Sequence, residues 1–146
     1  MTRTLGLFGA AVVLVAGSAV AAELPKALVD PYLAIANALA ADKFDGVAAH
    51  AKAIETAAAP LGKEASAMAT GASKLAGAKD IVAARTAFGD LSSALVDYAT
   101  KTKSTFPADV KVAYCPMADK PWLQKDKDIK NPYYGGAMLS CGSFKN

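Results

Sequence analysis

The sequence predicts an all-α fold: an antiparallel four-helix bundle with an irregular C-terminal cap segment. Three observations lead there. Residues 24–103 are rich in alanine and poor in β-branched residues, and their apolar side chains recur at spacings of three and four. No stretch in that part alternates with period two. From Ser104 onward the composition shifts, and Pro107, Pro116, Pro121, Pro132, Gly135, Gly136 and Gly142 interrupt any long period.

The first residues stand apart from this pattern. Arg3 gives a basic start, the stretch from Leu5 to Ala22 carries no charge, and small residues follow at A-x-A spacing from Ala19 to Ala21. That is the pattern of a cleavable secretion signal. Cleavage after Ala21 and cleavage after Ala22 fit equally well. The expected organisation is a signal peptide over residues 1–22 and a single helical domain over 23–146, with helices in 24–103 and a Cys/Met-containing segment in 104–146. No later segment is apolar enough to span a bilayer, so the expectation is a periplasmic or secreted protein with no membrane attachment after cleavage.

The helices follow in order. Leu24, Leu28, Tyr32, Ile35 and Leu39 share one face of the first, where Pro31 either sits in the first turn after Asp30 or kinks a longer helix. Phe44, Val47, Ala51, Ile54 and Ala58 form the second stripe, with Asp42 as the expected cap and Pro60 as the stop. Leu61, Ala65, Met68, Ala72 and Leu75 form the third, which contains Gly71. The fourth is the longest: Ile81, Ala84, Phe88, Leu91, Leu95, Tyr98 and Thr102 repeat behind Asp80 as cap. Short connections favour antiparallel neighbours. Beyond them, Val110 to Tyr114 suits one short extended piece. Trp122, Tyr133 and Tyr134 are the expected anchors that dock the C-terminal segment onto the bundle.

The chemistry-bearing residues gather in that segment. Cys115 and Met117 lie two apart, and Met138 and Cys141 three apart, so four of the six sulfur residues fall in one Pro/Gly-shaped stretch. Two thiolates with thioethers make a soft donor set, which suits copper(I) better than hard cations. Zinc prefers nitrogen or thiolate to thioether. The same two cysteines in an oxidising compartment also suit a plain disulfide, Cys115 to Cys141, which would stabilise the fold by roughly 3.5 kcal/mol. Both readings stand open on the spacing alone. His50, the only histidine, flanks the second stripe and is an outside candidate for the metal.

Other functions lack support. There is no Ser-His-Asp grouping, no C-x-x-C, no C-x-x-C-H and no phosphate loop around Gly135 and Gly136. The expectation is a binding module and no enzyme. A formal charge of +3, lowered by one when Arg3 leaves with the signal, is too small to point to nucleic acid.

Several strings resemble a bacterial family of exported helical domains, domain of unknown function 3347. They are Tyr114 to Ala118, Trp122-Leu123, Ile129 to Gly135 and Met138 to Gly142, with Arg85, Phe88, Leu91 and Ser92 resembling the family's last helix. Members occur alone and fused to periplasmic adaptor subunits of heavy-metal efflux pumps, copper and silver exporters among them. The resemblance therefore implies a role near metal handling, with a periplasmic metal-efflux complex as partner. These 146 residues include no adaptor part, so pump activity does not carry over. The combined expectation is an exported copper(I)-type binding or accessory protein; the alternative is a disulfide-pinned helical interaction module with no metal.

Overall fold

The computed structural model describes residues 21–145. The expected signal peptide thus lies outside the described residues, apart from Ala21 and Ala22. The chain is tied down where the description begins. Thr105 N–H donates to Ala22 O at 3.0 Å, Leu24 N–H donates to Thr105 O at 2.8 Å, and Leu24 is buried.

Four helices follow: α1 (Lys26–Ala40), α2 (Val47–Ala58), α3 (Ser66–Ala76) and α4 (Ile81–Thr102). Each packs on the next in chain order, forming a helical bundle. The buried residues are the periodic ones, from Leu28, Tyr32, Ile35 and Leu39 on α1 to Phe88, Leu91, Leu95 and Tyr98 on α4. Small residues set the spacing. A Cβ on Gly71 of α3 would come within 3.0 Å of the Leu91 Cα of α4, so glycine permits the close approach of the two backbones. Asp80 caps α4, accepting from Ala83 N–H at 2.8 Å. Among the described residues no helix is long and apolar enough to cross a membrane.

One local expectation needs correction. Asp42 does not cap α2; the chain enters that helix from Gly46 at φ 78°, without a side-chain cap. Of the two readings of Pro31, the longer helix holds, because α1 runs through it from Lys26. Its ring forgoes one intrahelical bond on the solvent side, where neighbouring Ala27 and Asp30 are exposed.

The larger correction concerns the C-terminal segment, which is not irregular. It forms a three-stranded antiparallel sheet of β1 (Lys111–Cys115), β2 (Lys120–Gln124) and β3 (Ser143–Phe144), in the order β2-β1-β3. The fold is therefore mostly helical with a small sheet, and not purely all-α. The sheet left little trace in the sequence for physical reasons. β2 buries Trp122, Leu123 and Gln124 in succession, so it shows no alternation. It also contains Pro121, which an edge strand tolerates. β3 has only two residues.

The sheet is part of the bundle's wall. β2 packs on α4 and also touches α1. Four aromatic rings run through the junction: Tyr32 to Phe88 at 5.0 Å between centroids, Phe88 to Tyr133 at 5.9 Å, and Tyr133 edge-on to Trp122 at 6.0 Å. Their polar ends are satisfied. The Tyr32 and Ser92 hydroxyls share a 2.6 Å hydrogen bond, and Leu123 N–H donates to the Tyr32 oxygen at 3.2 Å. Burial pushes the Tyr32 and Tyr133 phenols well above their ordinary range, so both stay neutral.

Candidate functional site

The sulfur residues sit at one end of this sheet. β1 alternates, turning Ala113 and Cys115 inward, and Cys115 is fully buried at the strand's last position. A turn from Pro116 to Asp119 then leads into β2, and Asp119 takes φ 51°. Ala118 N–H donates back to Cys115 Sγ at 3.4 Å, and the Tyr114 hydroxyl donates to the Asp119 carboxylate across the same turn. Met117 rides at the turn and is 61% exposed.

Cys141 arrives from the other side. β3 pairs with β1 through Ala113–Phe144 and Tyr114–Ser143, and that register carries Cys141 to the level of Cys115. The two thiols are neighbours at this end of the sheet, and both are free. Burial first, then the neighbouring Cys115, hold the Cys141 thiol above its ordinary pKa, which favours its protonated form. Gly142 makes the approach possible. It takes φ 134°, and a Cβ there would lie 2.6 Å from the Trp122 ring. Met138 is half-buried, and its carbonyl accepts from Cys141 N–H at 3.0 Å, closing a tight turn.

Two buried polar side chains, neither singled out in the sequence, hold this region in shape. Asn131 Nδ2 donates to Cys141 O at 2.6 Å, while its Oδ1 accepts from Tyr133 N–H at 2.8 Å and Tyr134 N–H at 3.3 Å. Gln124 accepts from Trp122 Nε1 at 2.9 Å and Lys130 N–H at 3.1 Å, and donates to Asp128 O at 2.7 Å. Asn131 had a sequence signal, since Asn before Pro-Tyr-Tyr suits a turn in which the side chain bonds backbone two residues on. Nothing in the sequence marks Gln124.

Arg85 ties the same loop to the helices. Its Nε donates to Pro132 O at 3.0 Å, and its Nη2 donates to Leu39 O at 2.8 Å and to Asp42 Oδ1 at 2.6 Å. Asp42 also accepts from Gly136 N–H at 2.9 Å. The Arg85 guanidinium and the Gly136 amide hold the Asp42 carboxyl below its usual range.

The structure thus brings Cys115 and Cys141 together and places Met117 and Met138 in the turns beside them. His50 lies elsewhere, exposed on α2, in a groove with Lys26, Asp30 and Pro31 that no sulfur residue lines. Trp122 and Tyr133 are buried at the junction, and Tyr134 is half-buried. Among the described residues no cluster of three or more His, Cys, Asp and Glu side chains forms. The donor chemistry at the thiols is sulfur, and it fits a soft monovalent ion better than a hard divalent one.

The class the fold defines is a helical bundle walled by a small antiparallel sheet, with both cysteines at the sheet's end. The chain belongs to the family described as protein of unknown function (DUF3347), which matches residues 28–105. That span covers most of α1, all of α2 to α4 and the return to Thr105, and it stops short of the cysteine-bearing strings. No curated protein and no solved structure matches the chain.

Proposed function

We propose that this protein is an exported soft-metal accessory domain that binds copper(I) through Cys115 and Cys141, with thioether support from Met117 and Met138. The observation that carries this reading is that the two free cysteines lie next to each other at the end of the sheet, Cys115 closing β1 and Cys141 leading into β3. Two sulfurs already side by side need little reorganisation to share one ion, and a supporting layer that locks the loop limits its loss on binding. Asn131, hydrogen-bonded to the Cys141 carbonyl, supplies that support. The exposed thioether of Met117 adds a soft donor on the solvent side, where an ion would enter or leave.

The rest of the reading follows from this. The helices run as an antiparallel four-helix bundle, supported by short connections between helices that pack in chain order. Residues 1–22 act as a secretion signal and the domain works in the periplasm or outside the cell. It is a binding partner and no enzyme, acting beside a periplasmic heavy-metal efflux complex.

A second reading rests on the same two residues. In an oxidising compartment two neighbouring free thiols suit a disulfide, giving a pinned interaction module with no metal. One sample separates the two. The protein is purified from its native compartment without reductant, its free thiols are counted after denaturation, and its metal content is measured. Two free thiols with one copper per chain support the copper reading. No free thiols, no copper, and no copper uptake after reduction leave the disulfide.

A further inference from the structure

A groove of about 370 Å³ runs between α4 and the C-terminal segment, and neither cysteine lines it. Val82, Arg85 and Gly89 of α4 form one side, and Lys120, Tyr133 and Tyr134 form the other. We propose that this groove binds a small organic carboxylate carrying an apolar or aromatic group. The proposal is independent of copper and of the state of the cysteines.

The polar half of the argument begins with Arg85. Three hydrogen bonds on Nε and Nη2 fix its guanidinium in place. Nη1 has no partner among the described residues, and no buried side-chain nitrogen there is left unsatisfied, so this edge reaches solvent on a residue that lines the groove. A cation held rigidly with one free donor edge is preorganised for an anion. Lys120 brings a second cation to the same groove. Its pairing with Asp90 is long for an ion pair, at 3.2 Å, and both side chains are well exposed. Such pairs hold weakly, so Lys120 is free to turn toward a ligand.

Charge decides the class of anion. Each cation already has one carboxylate neighbour, Asp42 for Arg85 and Asp90 for Lys120. The four groups therefore sum to zero formal charge, so the groove has no surplus with which to balance a dianion, and Asp90 on its wall opposes one. A carboxylate fits this better than a phosphate dianion.

Shape decides the remainder of the ligand. Val82 is 69% exposed, an apolar side chain beside the groove with nothing over it. Tyr133 and Tyr134 offer aromatic surface, and Gly89 forms the floor. A Cβ at Gly89 would press on the Lys120 stem at 3.2 Å, so glycine keeps the floor low there. Apolar walls with a few convergent polar groups, at this volume, are the usual make-up of a small-molecule site.

The test uses the purified metal-free protein and two-dimensional amide NMR, titrated with benzoate, with benzyl alcohol and with inorganic phosphate. Benzoate should give saturable shifts at Gly89, Lys120, Tyr133 and Tyr134, and the other two probes should give little. Lys120→Gln should weaken benzoate by about tenfold, the loss of one charge-assisted hydrogen bond. Ala118→Trp, which fills the groove from the hairpin side, should abolish it. The proposal is overturned if benzoate leaves these amides unmoved, if benzyl alcohol binds equally well, or if phosphate binds more tightly than benzoate. Unchanged benzoate affinity in a folded Ala118→Trp protein would overturn it as well.

Discussion

The two halves of this molecule are held together by different means. In the helices, alanine and leucine stripes pack against one another, and the closest approach is set by a missing side chain at Gly71. In the C-terminal third, backbone groups that no helix satisfies are bonded by three side chains, Arg85, Gln124 and Asn131. The first half relies on apolar burial, which is non-directional and forgiving of like-for-like exchange. The second relies on directional bonds in a buried setting, where losing one partner strands the other. A domain built this way combines a tolerant scaffold with a narrowly specified C-terminal segment, and both cysteines lie in that segment.

Substitutions break the comparison in order of size. Trp122→Ala should cost the most, about 3–5 kcal/mol by urea denaturation, because Trp122 belongs to both halves. Its ring packs edge-on to Tyr133, and its Nε1–H is bonded to Gln124. Asn131→Ala comes next, at about 3 kcal/mol, since three hydrogen bonds are lost at once. Its effect should be regional. Far-UV circular dichroism of the helices should persist while amide protection falls across residues 131–141. Helical signal collapsing in step would mean that the two halves are one unit. Gly71→Val tests the other half, with about 1–3 kcal/mol from forcing α3 and α4 apart. There the loss of protection should appear in α3 and α4 first.

The smallest effect is one of pH. Asp42 has its folded pKa lowered by Arg85 and Gly136, so its contribution is fully present above the ordinary carboxylate range. It fades as pH falls through the lowered folded value. Asp42→Asn should therefore narrow the stability difference between neutral and acid pH, measured as urea midpoints. An unchanged difference would show that the Asp42–Arg85 pair is only decorative, as exposed pairs often are.

The helical half was legible because burial there follows one period. Leu28, Tyr32, Ile35 and Leu39, and likewise Ala84, Phe88, Leu91 and Leu95, lie buried where their spacing puts them. Asp80 was readable as a cap because it stands directly before such a run. Asp42 looked like the same signal, but its carboxylate is taken by a residue 43 positions away, which no local pattern reveals. The sheet escaped because its strands are short and β2 is buried on both sides. The clustering of sulfur in sequence marked the segment in which Cys115 and Cys141 become neighbours. Which sulfurs come together depends on the β1–β3 register, and a two-residue strand leaves no pattern from which to read it.

The central claim is that the paired thiols hold copper(I). X-ray absorption at the copper edge, on reduced protein loaded with one equivalent of copper(I), addresses it directly. The account predicts a first shell of sulfur alone in the parent protein, and loss of stoichiometric copper in Cys115→Ser and Cys141→Ser. A shell containing nitrogen, or copper retained undiminished in both serine variants, would contradict it.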